Sequence, residues 1–117
     1  MRNYRELDVW KVAIDFVTKI YATISSFPSS EKYGIVSQIT RASVSISLNI
    51  AEGCSRKTAT DFARFLEISI GSCFEVETLL IISTNLNFLS IDRSKELIEE
   101  IQTLQRRINA LRTSILK

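Results

Sequence analysis

The residues able to do chemistry in this chain are few, and the type most often used for it is absent. Its 117 residues include no histidine. That removes a Ser-His-Asp triad, a Cys-His pair, an HExxH zinc helix and the Glu-x-x-His ligand pairs of carboxylate di-iron bundles. The two cysteines, Cys54 and Cys73, are too few for a four-thiolate site or a disulfide scaffold and suit small buried apolar positions. There is no Gly-rich phosphate loop and no metal-ligand spacing, so no metal and no cofactor is expected. Carboxylates and cations remain. Glu75 and Glu77 stand two apart, and such neighbours on a helix point to different sides, so they do not make a catalytic pair. Glu75 falls on an apolar stripe, where a carboxylate needs a partner, and Arg41 is the obvious one.

The cations form two clusters: Arg56, Lys57 and Arg64 around one turn, and Arg106, Arg107 and Arg112 in the last segment. Both suit phosphate contacts. The second is balanced by Glu96, Glu99 and Glu100 at the start of its segment, an arrangement that a helix dipole favours without any ligand. Lys95, Arg106 and Lys117 stand eleven apart and so share one helix face, which reads as a solvated surface.

Punctuation sets the elements that position these groups. One Pro and three Gly in the whole chain leave room for long helices. Phe27-Pro28-Ser29-Ser30 ends a first segment, 8–26, and Gly53-Cys54-Ser55-Arg56-Lys57-Thr58 ends a second, 31–53. Thr58 or Thr60 caps a third, 59–87, and Ser90 or Asp92 a fourth, 91–116. Four segments of similar length with short connections predict a single all-α domain over 1–117, an antiparallel up-down-up-down four-helix bundle. The balance of 45% hydrophobic and 24% charged residues is that of a globular domain, and the formal charge of +2 neither announces nor excludes a nucleic-acid partner. The N-terminus shows no apolar signal segment and no stretch has the length of a membrane span, so a cytoplasmic protein with no membrane contact is expected.

In the fourth segment Leu97, Ile101, Leu104, Ile108, Leu111 and Ile115 alternate at four and three, a strict core seam. The first has a seam of Trp10, Ala13, Ile14, Val17, Ile20, Tyr21 and Ile24, with Val9, Val12 and Phe16 beside it. The second is unusual, because Arg41 is its only charge between Gly34 and Ala51. Ile35, Ile39, Ala42, Ile46 and Ile50 face the core, while a polar stripe runs Gln38, Arg41, Ser45, Asn49, Glu52. The third carries two apolar faces, Phe62, Leu66, Cys73, Val76, Leu80 and Phe65, Ile68, Leu79, Ile82, Leu86. A lone bundle needs one apolar face per helix, so a homo-oligomer is expected. Arg41, Glu52 and Glu75 read either as a catalytic or ligand cluster or, with the rest of the stripe, as a structural and interface polar network; the network is preferred, because perturbed charges also arise in such networks.

At this point the chain resembles the 23S rRNA intervening-sequence proteins, a family of bacterial four-helix bundle proteins. The resemblance is carried by Leu7-Asp8-Val9-Trp10, Phe27-Pro28 with Glu31, Tyr33-Gly34 before Gln38, Arg41-Ala42-Ser43-Val44-Ser45-Ile46 and Asn49-Ile50-Ala51-Glu52-Gly53. It continues through Arg56, Phe62, Phe65-Leu66, Gly71-Ser72 and Glu75. Departures are Ser69 and Cys73, where larger aliphatics or Ala are common, and Asn87-Phe88, where a Gly-aromatic pair is. The resemblance implies a ring-like homopentamer. It also implies nucleic acid nearby, since family members are encoded inside rRNA-gene insertions and relatives, the accessory variability determinants of diversity-generating retroelements, bind a reverse transcriptase. Two functions stay open: a non-enzymatic assembly that contacts RNA or DNA through its basic residues, and an adaptor for a protein such as a reverse transcriptase. An enzyme is the poorest reading. No exposed aromatic platform for stacking bases is expected, because Tyr21, Phe62 and Phe65 sit on apolar stripes.

Overall fold

A computed structural model describes residues 2–117. Four α-helices account for most of it: α1 (Asp8–Ile24), α2 (Ile35–Cys54), α3 (Ala59–Asn85) and α4 (Ile91–Ile115), with 3₁₀ turns at Tyr4–Glu6 and Ser29–Glu31 and no strand among the described residues. Each boundary has a local cause. Pro28 follows α1, and the chain then makes the 3₁₀ turn, so α2 starts at Ile35, four residues later than the expected 31. The Glu31 carboxylate sits beyond the helix start and accepts from the Ile35 N–H at 3.4 Å. Of the two candidate caps for α3, Thr58 is the one used, accepting from the Asp61 N–H at 3.1 Å; for α4 it is Ser90, accepting from the Arg93 N–H at 3.2 Å.

The end of α3 carries a left-handed residue. Asn87 has φ 64°, its N–H donates to the Thr84 carbonyl, and the Phe88 N–H donates back to the Ser83 carbonyl at 2.9 Å. These paired bonds are a Schellman closure, and the turn sets the Phe88 ring against Phe27 beyond the end of α1, ring centroids 5.8 Å apart.

Contacts between helices fix an antiparallel arrangement. Ser72 Oγ donates to Ser45 Oγ and Ser69 Oγ to the Ile46 carbonyl, pinning α2 against α3. Gln102 donates to Glu77 and Arg112 to Glu67, pinning α4 along α3, and Lys19 meets Glu100 between α1 and α4. The bundle measures 44 × 23 × 20 Å. Leu97, Ile101, Leu104 and Ile108 of the α4 seam are fully buried, as are Ile39, Ile46 and Ile50 of α2 and Phe62, Leu66, Val76 and Leu80 of α3. Each such side chain contributes about 1.5–3 kcal/mol by leaving water.

The second apolar stripe of α3 is only half covered. Phe65 and Leu79 are buried, while Ile68, Ile82 and Leu86 are 41–53% exposed, and Phe74 and Ile81 are exposed beside them. On α1, Ile14 and Tyr21 point outward instead of joining the expected seam, and on α2 Leu48 is 60% exposed. Trp10 instead closes the bundle at the N-terminal side by meeting Tyr4 edge to face at 5.1 Å.

Candidate nucleic-acid interface

The end of the bundle where α2 turns into α3 is built around a close approach. A Cβ added to Gly53 would lie 2.8 Å from Phe62 Cδ1 and 2.9 Å from Phe65 Cβ, so only glycine lets the two helices come together here. The approach presents the Phe62 and Phe65 rings as seats for guanidinium groups. Arg2 lies 4.7 Å over Phe62, and its N–H donates to the Cys54 carbonyl at the end of α2. Arg56 and Arg64 lie 4.6 Å and 5.2 Å from the Phe65 ring.

Carboxylates hold the same arginines loosely, Glu52 with Arg56 at 3.8 Å and Asp61 with Arg64 at 3.9 Å. Exposed pairs of this length contribute little, and they leave the guanidinium edges free to donate. Arg56 Nε is buried without an acceptor among the described residues. Lys57 is exposed and in no ion pair among the described residues.

Arg56, Lys57 and Arg64 are therefore brought together as the sequence suggests. Arg112 joins this end by reaching across to Glu67, with Nε 2.8 Å from Oε1. Arg106 and Arg107 lie nearer the middle of α4, where Arg106 donates to Thr103 and lines a groove with Phe74 and Ile81. Dividing the bundle at its midpoint, residues 2–17, 44–73 and 106–117 carry ten Lys/Arg and six Asp/Glu, a formal +4. Residues 18–43 and 74–105 carry five Lys/Arg and seven Asp/Glu, a formal −2, and together these make the +2 of the chain.

The polar stripe divides into a satisfied part and a free part. Asn49 Nδ2 donates to both the carbonyl and the hydroxyl of Ser45, whose hydroxyl also accepts from Ser72. Glu52 turns to Arg56. Gln38, Arg41 and Glu75 are exposed, and neither Arg41 nor Glu75 forms an ion pair among the described residues. The expected burial of Glu75 and its pairing with Arg41 are thus not met within one chain. The reason is that α3 turns residue 75 to its outward side, between Ile68 and Ile82, where no helix of the same chain lies.

Two features go beyond the sequence reading. Phe62 and Phe65 are buried as expected, yet their rings also seat arginines; Gly53 followed by two Phe with Arg on either side is the available signal. Exposed aromatic surface does occur, at Tyr21, Tyr33 and Phe74, the last two lying outside the stripes traced in the sequence. Both cysteines are buried and free. Burial pushes the Cys73 thiol up to about 12, with the Glu77 carboxylate adding to the effect, and burial also raises Cys54 against the lowering charge of Arg2.

No group of His, Cys, Asp and Glu among the described residues could hold a metal ion, and no helix of the described residues is long and apolar enough to cross a membrane. Among solved structures, the chain is similar to a protein of unknown function from the S23 ribosomal protein family of Bacteroides thetaiotaomicron, with a TM-score of 0.79 at 18% identity, over 88% of this chain and 96% of that one. That likeness carries the fold. No curated protein matches the chain. The model of the 23S rRNA-intervening sequence protein family matches residues 5–110, and the chain belongs to that family.

Proposed function

We propose that the chain is a non-enzymatic subunit of a homo-oligomer, a ring-like pentamer as the family resemblance implies, and that it associates with RNA or DNA through the basic end of its bundle. The lengthwise partition of charge, +4 on the end bearing Arg56, Lys57 and Arg64 against −2 on the other, is the observation that carries this reading. A near-neutral protein that gathers its cations at one end presents phosphates with a local field that its net charge conceals. Arginines laid on aromatic rings lose less freedom when they bind, so they suit repeated backbone contacts better than sequence readout. Five copies in a ring would repeat the same end five times, and linked weak contacts multiply.

The test is binding of labelled structured RNA and duplex DNA at low and physiological salt, with oligomeric mass measured in the same samples. The expected result is binding whose logarithm falls linearly with the logarithm of salt, shallower in Lys57→Glu and Arg64→Glu. No binding at low salt overturns the direct role. A second reading makes the subunit an adaptor for a protein such as a reverse transcriptase. It is favoured by the groove between α3 and α4, where Phe74 stands 55% exposed beside Ile81 and Gln102. Nucleic-acid binding that appears only with such a partner present would select it.

A further inference from the structure

We infer that the outer face of α2 in one copy of the chain docks on the outer face of α3 in another, with Leu48 seated over Gly71 and Arg41 paired to Glu75. This rests on the self-association proposed above and names its surface.

The α2 face is small and almost uncharged: Leu48 projects from it, 60% exposed, between the half-buried Val44 and Ala51, and Arg41 lies one heptad away. The α3 face is its counterpart. Ile68 and Ile82 are 45% and 41% exposed, Glu75 stands between them, and Gly71 leaves a gap where an added Cβ would meet nothing within 4 Å. A leucine knob and a glycine gap ringed by Ile68 and Glu75 match as helices pack, knob into hole. The charges match as well, one unpaired cation on the first face and one unpaired anion on the second, among the described residues.

Height decides the pairing. The Ser72–Ser45 hydrogen bond sets these two residues level; at about 1.5 Å per residue, running α2 backward and α3 forward brings Arg41 and Glu75 to within about 1.5 Å of one height, and running α2 forward and α3 backward brings Leu48 and Gly71 to within about 3 Å. Any rotation about an axis parallel to the bundle leaves heights unchanged. A neighbour generated that way offers Glu75 at the height of Arg41. An ion pair surrounded by Leu48, Val44, Ile68 and Ile82 is shielded from water, so reversing either charge leaves like charges facing one another in a poorly solvated seam.

The experiment uses the full chain and reads oligomeric mass by analytical ultracentrifugation across protein concentration. Arg41→Glu and Glu75→Arg should each weaken assembly by at least about tenfold, because like charges are brought together. The double variant Arg41→Glu/Glu75→Arg should restore it. The carboxylate introduced at position 41 of one chain then meets the guanidinium introduced at position 75 of the next, at every contact around a ring of any size. Gly71→Leu should also weaken assembly at least about tenfold, while circular dichroism shows an intact helical subunit, because the added side chain enters open space. If wild type assembles but the single charge variants assemble equally well, or the double variant stays dissociated, this surface is wrong and the self-association stands. If wild type is a monomer at every concentration, self-association itself falls and with it this interface, and the faces are left for a different protein.

Discussion

Replacing Gly53 with alanine sets two effects of similar size against each other, and the structure says which wins. Alanine near the end of α2 gains helix propensity worth up to about 1 kcal/mol over glycine. Against that, the new methyl would stand 2.8 Å from Phe62 Cδ1 and 2.9 Å from Phe65 Cβ. Neither atom is the loose end of a flexible chain: Phe62 is completely buried, and a Cβ moves only with its backbone. The helices must separate by several tenths of an ångström, and overpacking of this kind costs about 1–3 kcal/mol. The net expectation for Gly53→Ala is a loss of about 1 kcal/mol, the difference between those two ranges. Urea unfolding followed by far-ultraviolet circular dichroism at one fixed protein concentration measures it, since the proposed self-association would make the midpoint concentration-dependent. The midpoint should fall with the slope unchanged. A variant as stable as the parent, or more so, would refute the claim that glycine is required for the approach of α2 to α3.

Asn87, at φ 64°, holds a position where glycine has no steric cost, so Asn87→Gly should gain about 0.5 kcal/mol and Asn87→Val should lose more than about 1 kcal/mol in the same assay. The Cys73 thiol gives a pH dependence. It is raised from 9.0 to about 12 in the folded chain, so the unfolded state gives up its proton first as pH rises. Stability is fully present below pH 9 and declines toward about 12, with a slope from this one group of at most about 1.4 kcal/mol per pH unit. Cys73→Ala should show a shallower decline between pH 9 and 11 than the parent; equal slopes would mean that the thiol is not held protonated by burial.

The helices and their inward faces are legible in the sequence because periodicity states which way each residue points from its own axis. Leu97, Ile101, Leu104 and Ile108 need no partner to be identified as core, and the stop at Pro28 and the start at Ser90 are local chemistry. The start of α2 is harder to place because the Glu31 carboxylate and Gly34 share a turn whose hydrogen bonds leave no periodic trace. Ile14 and Tyr21 pass for seam residues because apolar identity does not say whether a neighbouring helix covers a position. The same limit applies to Glu75, which sits on an apolar stripe that the chain itself leaves open. At the basic end the cations are visible in the sequence. Their seats are not, because a cation and a ring nine residues apart, Arg56 and Phe65, meet only once Gly53 has brought two helices together.

The lengthwise division of charge has a kinetic consequence. Opposite formal charges of +4 and −2, spread over halves of a body 44 Å long, give the subunit a dipole moment along its axis. A polyanion's field exerts a torque on such a body and turns its basic pole inward before the surfaces touch, so a larger share of encounters begins in a productive orientation. Salt shortens the reach of that torque to about 8 Å at physiological strength, well under the length of the bundle. The alignment is then confined to the final approach, and for the nucleic-acid contact proposed above raising salt should slow capture more than it hastens release.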